Sequence, residues 1–227
     1  LPGTPIVVDS KRHRGGMFLV ENFNPDIIIL DDAFQHRSIE RDLDIVLINS
    51  KDKKSDHRLL PYGALREPLS SLKRANVLIF TKTNLIEPTE LLKSLAKSTK
   101  KPVFLSTLET QNLISYDGKA LSIKKGIKAV ALSAIADTSG FITTLEQSGI
   151  EIVKKFNFVD HHSYKQSDID KIARQAQRLN TEIVITTEKD MIKLASLKFE
   201  GIKIYSIKVS FGLMANDTKK LLKLICT

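Results

Sequence analysis

The sequence Asp-Ile-Ile-Ile-Leu-Asp-Asp-Ala-Phe-Gln-His occupies residues 26–36. A four-residue apolar run followed by two acids is typical of a buried parallel strand that places Asp31 and Asp32 at the carboxyl edge of a sheet, where open α/β sheets bind ligands. In nucleotide-binding proteins such an aspartate holds Mg²⁺, which prefers hard oxygen ligands. The alternative is that the two acids cap a following helix. Gln35 and His36 favour the metal site, because an amide and an imidazole within one turn suit the orientation of water or phosphate oxygens.

On either side of this stretch, short apolar and β-branched runs alternate with longer segments of helical period. This alternation is typical of strand–helix units in a mostly parallel sheet, so we predict an α/β protein. The strands predicted in the first half are residues 6–8, 27–30, 45–48, 77–81 and 103–105, and Pro88 opens a predicted helix with Leu91, Leu92 and Leu95. Residues 50–74 are polar and interrupted by prolines, which predicts a long loop of functional importance.

The pattern changes around residues 105–126, where Asp117-Gly118 separates two short apolar runs and predicts a β-hairpin. We interpret residues 109–126 as a linker between a core domain, residues 1–108, and a second, smaller α/β domain, residues 127–227. The elements predicted in the smaller domain are strands at 129–132, 152–156, 183–186 and 204–209, and helices at 141–147, at 167–179 with a near capping box of Ser167 and Asp170, and at 216–225. The last helix is basic and amphipathic, and we expect its apolar face to pack on the body of the protein; the alternative is that this face binds a membrane.

The composition excludes several classes of protein. Of the 227 residues 42% are hydrophobic, which is enough to bury a core and disfavours intrinsic disorder. One cysteine, Cys226, excludes a disulfide framework and a cysteine-based zinc site, and it fits a reducing compartment. No apolar run approaches the roughly 20 residues of a membrane span. The formal net charge of +9 favours anionic partners, although no nucleic-acid-binding motif occurs, so we expect no nucleic acid as partner.

The predicted loop contains a second candidate site, Leu-Arg-Glu-Pro-Leu at residues 65–69. Arg66 offers a planar fork for phosphate, and Glu67 offers an acceptor for a metal-bound water or a ribose hydroxyl. The sequence leaves open the alternative that Arg66 and Glu67 form a surface ion pair.

Two further motifs lie in the second half. Phe-Val-Asp-His-His-Ser-Tyr, residues 158–164, lacks a carboxylate at helical spacing from its histidines, so a histidine oriented by an aspartate and acting as a base is favoured over a zinc site. Thr-Thr-Glu-Lys-Asp, residues 186–190, lies at a strand-to-helix junction and is explained mostly by helix capping. The phosphate-loop pattern G-x-x-x-x-G-K-[ST] does not occur. The sequence therefore contains the predicted magnesium-binding strand but lacks the phosphate loop that accompanies such a strand in P-loop proteins.

The motifs follow one another in a fixed order along nearly the whole chain. They are Asp-Asp-Ala-Phe-Gln-His at 31–36, Arg-Asp-Leu-Asp-Ile-Val at 41–46, Leu-Leu-Pro at 59–61, Leu-Arg-Glu-Pro-Leu at 65–69, Phe-Val-Asp-His-His at 158–162 and Thr-Glu-Lys-Asp at 187–190. In this combination the chain resembles the tetraacyldisaccharide 4'-kinases of lipid A biosynthesis. It departs from the family pattern at Ala33 and Tyr62, where the family usually has Gly and Ala. Ala in place of Gly at position 33 tightens the backbone near the phosphates but removes no ligand, so we do not expect inactivation from it.

The resemblance implies a P-loop kinase that transfers the γ-phosphate of ATP, with Mg²⁺, to the 4'-hydroxyl of tetraacyldisaccharide 1-phosphate. It implies peripheral contact with an anionic inner membrane, at the cytoplasmic face, and a monomeric enzyme. Family members carry a further N-terminal stretch with the phosphate loop, a membrane-associated helix and a catalytic aspartate, so this chain corresponds to the C-terminal two thirds. We therefore expect the chain by itself to be an inactive fragment.

The resemblance also implies roles for the residues of the first motif. Asp31 and Asp32 would be the ligands of Mg²⁺ and its water, and Asp32 and Gln35 would take part in catalysis. Gln35 and His36 would support the nucleotide and the acceptor.

The resemblance also implies roles for residues outside the 31–36 motif. Arg66 and Glu67 would line the same cleft, and Arg12 would lie near the active site. Without the resemblance, the basic run at residues 11–14 is typical of a solvated turn. His161 would be the catalytic histidine that activates the acceptor hydroxyl together with the aspartate of the N-terminal stretch.

A chain that lacks the phosphate loop admits another interpretation, a non-catalytic remnant or binding module. An N-terminal extension with G-x-x-x-x-G-K-[ST] would decide between that interpretation and the kinase.

Overall fold

The computed structural model describes residues 3–52 and 57–226, and its architecture is α/β with a mostly parallel sheet, as predicted. The chain forms two compact units, Leu1–Ser106 with Leu213–Thr227, and Thr107–Gly212. The helices are α1 (Arg12–Phe23), α2 (Glu90–Thr99), α3 (Thr138–Gln147), α4 (Gln166–Arg178), α5 (Glu188–Leu194) and α6 (Ala215–Ile225). The strands are β1 (Ile45–Asn49), β2 (Val77–Thr81), β3 (Val103–Ser115), β4 (Ala120–Leu121), β5 (Lys128–Ser133), β6 (Glu151–Asn157), β7 (Ile183–Thr187) and β8 (Lys203–Leu213).

The first unit is built on β1, β2 and the start of β3, which run parallel in that order. All five residues of β2 are buried, because this strand lies between the other two and both of its faces are covered. One face carries Leu78 and Phe80, which pack with Leu92 of α2 and Leu72 of a 3-10 helix, Leu69–Arg74. This 3-10 helix lies inside the segment that the sequence predicted to be loop throughout.

The C-terminal helix α6 belongs to the first unit, whereas the sequence analysis placed it in the second domain. Leu213 and Leu221 pack against Val77, Ile79 and Phe104 on the opposite face of the β1–β3 sheet. The prediction that this helix packs on the body is confirmed for Leu221, whereas Leu222 of the same predicted face is 52% exposed, and the helix covers the sheet that lies furthest from it in sequence.

The second unit contains strands in the order β3, β8, β7, β5 and β6, and β5 pairs in parallel with β6 and β7, as does β7 with β8. Helices α4 and α5 cover one face, where Ile172 and Leu194 are fully buried. Helix α3 covers the other, with Leu145 at its centre. The predicted hairpin is present, with Leu113 opposite Leu121, but it is part of this unit because Leu113 is buried in the same core as Leu145.

Two predicted strands are wrong. Residues 6–8 and 27–30 are not paired with any strand in the described part of the chain, and the side chains of Val8 and Ile29 are 96% and 87% exposed. A strand forms only where a neighbouring strand pairs with its backbone N–H and C=O groups, and the apolar pattern of the sequence does not show whether such a neighbour exists. Asp31 and Asp32 therefore do not end a central strand of the described sheet.

Helix α1 follows the first of these segments and was not predicted. Its sequence contains two adjacent glycines, Gly15 and Gly16, which lower helix propensity. Its start is held by Asp9, which accepts hydrogen bonds from the Lys11 backbone at 2.8 Å and from the Arg14 side chain at 2.6 and 2.7 Å. The described helices include none with the length and apolar character of a membrane span.

Candidate functional site

Asp31 and Asp32 lie in a turn of the first unit, and both are exposed. The backbone of Asp32 has φ +48°, in the left-handed region, and the turn closes with a hydrogen bond from His36 N to the Ala33 carbonyl at 2.9 Å. Ala33 itself is buried, with 5% of its surface exposed. The buried alanine fixes the turn while the two carboxylates remain in solvent.

Arg66 reaches this turn from a loop 34 residues further along the chain. Its Nη1 lies 2.8 Å from Oδ2 of Asp32, and both side chains are more than half exposed. The loop before it is closed by hydrogen bonds from Leu65 N to the Arg58 carbonyl at 3.0 Å and from Leu60 N to the Leu65 carbonyl at 2.9 Å. Gly63 is required there, because a Cβ at this position would clash with the Arg58 carbonyl oxygen.

Glu67 and Arg66 do not pair with each other, since Glu67 binds Arg74. The Arg74 Nη2 lies 2.6 Å from Glu67 Oε2, and its guanidinium stacks over the Phe34 ring at 4.6 Å. Hydrogen bonds from Arg74, and then from Ser71, lower the pKa of the Glu67 carboxyl below its usual value. Arg74 therefore joins the 31–36 turn to the 65–69 loop, a role that the sequence analysis missed because Arg74 lies outside both motifs.

The other three candidate residues of the first unit, His36, Arg12 and Gln35, do not take part in the contact between Asp32 and Arg66. The half-buried His36 accepts a hydrogen bond at its carbonyl from Arg41 Nη1 at 2.5 Å. Arg12 is the first residue of α1 and donates to the Asp9 carbonyl, also at 2.5 Å. The Oε1 atom of Gln35 is buried and has no hydrogen-bond partner among the described residues.

A magnesium ion fits this turn by its chemistry. Among residues 3–52 and 57–226 no three acidic, histidine or cysteine side chains are grouped closely enough to hold a metal ion. Mg²⁺ needs fewer protein ligands, because it usually binds one or two carboxylates together with phosphates and water. The exposed carboxylates of Asp31 and Asp32 meet that requirement. The side-chain oxygen of Gln35, four residues after Asp31 in the sequence, is a further hard donor type, although it is buried in this structure.

His161 lies in the second unit, in the loop after β6. Its backbone has φ +62°, and its amide donates to Asp160 Oδ1 at 3.0 Å. The ring is 74% exposed, with Nε2 3.8 Å from Asp160 Oδ2 and 3.5 Å from Nζ of Lys189. An aspartate thus lies beside this histidine, as the sequence suggested, and Lys189 from the 186–190 motif lies beside both.

The neighbouring His162 is held in place by its own unit. Its ring stacks on Phe158 at 4.4 Å between centroids, and its Nε2 lies 3.1 Å from Oδ2 of Asp168. The same carboxylate accepts from the Lys165 amide at 3.0 Å and so caps α4, in place of the capping box predicted for Ser167 and Asp170. The backbone hydrogen bond from Lys165, and then the one from His162, lower the pKa of the Asp168 carboxyl.

Asp190 is fully buried at the start of α5. It accepts hydrogen bonds from Ala134 N at 3.0 Å and Thr187 Oγ1 at 2.9 Å, and it pairs with Lys193 Nζ at 3.1 Å. Burial and the neighbouring Asp190 carboxylate raise the pKa of Tyr164. This network joins the loop after β5 to α5, and it confirms capping as the main use of the 186–190 motif because Thr187 also accepts from the Asp190 amide at 3.1 Å.

Comparison with known proteins shows consistent similarity along the chain. A family model described as tetraacyldisaccharide-1-P 4'-kinase matches residues 1–226. Tetraacyldisaccharide 4'-kinase from Chlorobaculum tepidum is 39% identical over 198 residues, which are 86% of this chain and 56% of that protein. The corresponding protein from Aquifex aeolicus is 34% identical over 227 residues, which are 99% of this chain and 64% of that protein.

The fold agrees with that similarity. A crystal structure described as the apo form of LpxK from Aquifex aeolicus in complex with ATP superposes with a TM-score of 0.66 at 32% identity, covering 94% of this chain and 61% of the other. The chain spans between 55% and 64% of the length of the relatives compared. With a family model that matches residues 1–226, this chain belongs to the tetraacyldisaccharide-1-P 4'-kinase family.

Proposed function

We propose that this chain is part of a kinase that transfers the γ-phosphate of ATP to the 4'-hydroxyl of tetraacyldisaccharide 1-phosphate, a step of lipid A biosynthesis. The observation that supports this proposal most directly is the 2.8 Å contact between Arg66 and Asp32, because it joins the two motifs that would bind phosphate and metal. Phosphoryl transfer depends on positioning and on charge neutralisation, and a carboxylate turn beside an arginine provides groups for both.

In this proposal the residues of the first unit bind the nucleotide. Asp31 and Asp32 hold Mg²⁺, which when bound neutralises charge on the phosphates of ATP. Gln35 and His36 orient the nucleotide and the acceptor, and Arg66 contributes positive charge. Arg74 keeps Glu67 ionised and in place, since it holds the pKa of that carboxyl low.

Arg12 and His161 complete the proposed set. Arg12 contributes a guanidinium near the phosphates, and His161 accepts the proton of the acceptor hydroxyl. Exposure of the His161 ring supports the second role, because a base must reach its substrate. Fixation of His162 by Phe158 and Asp168 favours His161 over its neighbour.

We further propose peripheral contact with the anionic cytoplasmic face of the inner membrane, and a monomeric enzyme. The net charge of +9 supports attraction to an anionic surface. The proposed substrate is itself a lipid, so its 4'-hydroxyl lies at such a surface.

Because the chain spans only part of its relatives, we propose that it binds MgATP negligibly by itself. Most contacts to the β- and γ-phosphates in P-loop kinases come from the phosphate loop, which this sequence does not contain. Isothermal titration of MgATP into the purified chain tests this. Micromolar affinity, or product formed from the lipid acceptor by this chain alone, would contradict it.

The kinase itself is tested in a chimera in which the N-terminal region of the Aquifex aeolicus relative precedes this chain. We expect phosphoryl transfer to tetraacyldisaccharide 1-phosphate, loss of Mg²⁺-dependent turnover in Asp31→Ala, and a kcat lower by about 10²–10⁴-fold in His161→Ala with little change in the KM for ATP. Asp117→Asn, an exposed acid in the hairpin turn, is the matched control. A folded chimera that binds the acceptor without transferring phosphate would favour the binding-module interpretation.

A further inference from the structure

A face of the first unit's sheet is only partly covered. In the register of β2 and β3, Leu78 lies opposite Val103 and Phe80 opposite Leu105, so these four side chains share a face. Helix α2 packs on the β2 pair, leaving Leu78 and Phe80 at 0% and 2% exposure, whereas Val103 and Leu105 are 37% and 40% exposed. The covering helix therefore ends over β2 and leaves an apolar strip of β3 in contact with solvent.

That strip forms the floor of a cleft of about 720 Å³ between α2 and β3. Its volume lies within the range of about 300–1,000 Å³ that is typical of small-molecule sites. Phe80 of β2 and Ala96 of α2 add further apolar lining to the cleft. A ligand seated here would bury hydrocarbon against these side chains.

The residues that line the cleft include four lysines and one acid, Glu87, so its rim is mainly basic. Lys97, Lys100 and Lys101 line it, and within the described residues none of them forms an ion pair. Lys93 also lines the cleft, but it is paired with Glu90 at 3.0 Å and with Glu87 at 3.8 Å. An apolar floor with an unneutralised lysine rim is complementary to a molecule that has an anionic head and an acyl chain.

Part of this charge has another explanation. Lysines at the carboxyl end of a helix stabilise its dipole, and Lys97 and Lys100 lie in the last turn and at the C-cap of α2. That explanation does not extend to Lys101, which lies beyond the cap, or to the uncovered face of β3. The C-cap residue Lys100 also has φ +55°, a conformation that glycine or asparagine adopts at lower cost.

We infer that this cleft, defined by Lys97, Lys100, Lys101, Val103 and Leu105, binds an anionic phospholipid of the bilayer surface, with its phosphate on the lysines and acyl carbons on the strand. The inference rests on the proposed function in one respect, since that function places the protein at an anionic membrane. Beyond that function, the inference identifies which surface of this chain contacts the membrane.

The first experiment measures co-sedimentation of the 227-residue chain with vesicles. We expect binding to phosphatidylcholine mixed in equal parts with phosphatidylglycerol, and little binding to phosphatidylcholine alone. The Lys97→Gln/Lys100→Gln/Lys101→Gln variant should lower the partition coefficient at least about tenfold, because each lysine near an anionic surface contributes to binding. The matched control is Lys219→Gln/Lys220→Gln/Lys223→Gln in α6, which removes the same charge from another surface of the unit.

The second experiment tests whether acyl chains enter the cleft. The chain contains no tryptophan, so Leu105→Trp introduces a unique indole at the cleft floor, and Leu222→Trp introduces one on the exposed side of α6. Phosphatidylglycerol vesicles with brominated acyl chains should quench the indole of Leu105→Trp and leave that of Leu222→Trp nearly unchanged. Circular dichroism of each variant verifies that it is folded.

Equal losses in the two lysine triple variants would overturn the inference, because they would indicate attraction by net charge alone. Quenching of Leu222→Trp without quenching of Leu105→Trp would overturn it in favour of α6. Both measurements report lipid binding by this chain and not phosphoryl transfer, so their failure leaves the proposed kinase activity in place, and an inactive chimera leaves them unaffected.

Discussion

Asp32 and Asp190 each lie shortly after an apolar run, one in each unit of the molecule. Asp32 is 64% exposed at its side chain and meets one exposed arginine. Asp190 is fully buried and satisfied by a backbone amide, a hydroxyl and a lysine. The same residue type thus forms a solvent-facing pair in the first unit and a structural junction in the second, and burial with completed hydrogen bonding distinguishes the two uses.

Removal of the buried aspartate should have the largest effect on stability. Asp190→Ala leaves Lys193 without its acid and leaves the Ala134 amide unsatisfied, so we expect the free energy of unfolding to fall by about 3–5 kcal/mol. Urea denaturation followed by circular dichroism measures it. Glu188→Ala, at an exposed acid of the same helix, should remain within about 0.5 kcal/mol of the parent. A similar loss of unfolding free energy in both variants would mean that burial does not distinguish Asp190 from exposed acids.

Two adjacent histidines of the second unit also differ in their surroundings, since the ring of His161 is largely exposed and that of His162 is held by its neighbours. His162→Ala removes the stacking on Phe158 and the hydrogen bond to Asp168, for an expected cost of about 1–2 kcal/mol in unfolding free energy. His161→Ala should cost less than about 0.5 kcal/mol, since its ring is largely in solvent. The same denaturation assay compares them. The division between a structural and an exposed histidine fails if His161→Ala is the more destabilising change.

The Asp32–Arg66 pair should contribute little to stability. A double-mutant cycle with Asp32→Asn and Arg66→Gln is expected to give a coupling energy below about 1 kcal/mol, as for other exposed ion pairs. Denaturation of the four proteins in low and high salt supplies the measurement. A coupling above about 2 kcal/mol, insensitive to salt, would mean that this pair is structural like the Asp190 network.

The smallest effect is expected at two aspartates, the half-buried Asp9 of the first unit and the exposed Asp117 of the second. Hydrogen bonds from Arg14 lower the pKa of Asp9 from 3.8 to about 2, and hydrogen bonds from Lys119 and then Ser115 lower that of Asp117 to about 2. Because the folded-state pKa is depressed, each contribution to stability is present above pH 3.8 and is lost as the pH falls towards 2.

Carbon-detected NMR titration of the carboxyl groups measures the pKa values of Asp9 and Asp117. Arg14→Gln should raise the midpoint of Asp9 towards 3.8 and leave Asp117 at about 2. An unchanged Asp9 midpoint in that variant would show that Arg14 is not its main partner.

Periodicity predicted the second unit better than the first. Strands at 129–132, 152–156, 183–186 and 204–209 are all present within β5 to β8, because both faces of that sheet are covered by helices of the same unit. In the first unit the equally apolar residues 27–30 remain unpaired among the described residues, and Ile27 and Ile29 are more than half exposed. An apolar run specifies a preference for burial, and a strand forms only where a neighbouring backbone supplies hydrogen-bond partners.

The candidate site, too, was predicted from the sequence only in part. The sequence by itself determined the family, the α/β class, the 31–36 and 65–69 motifs and the residue types able to bind metal and phosphate, because these depend on side-chain chemistry and local order along the chain. Tertiary structure alone decided that Arg66 meets Asp32, that Arg74 takes Glu67, and that His162 is fixed while His161 is exposed. The physical reason is that the order of residues along the chain does not show which distant segment supplies the partner of Arg66 or of Glu67, or which of two adjacent histidines packs against its neighbours, because those contacts form only when the chain folds.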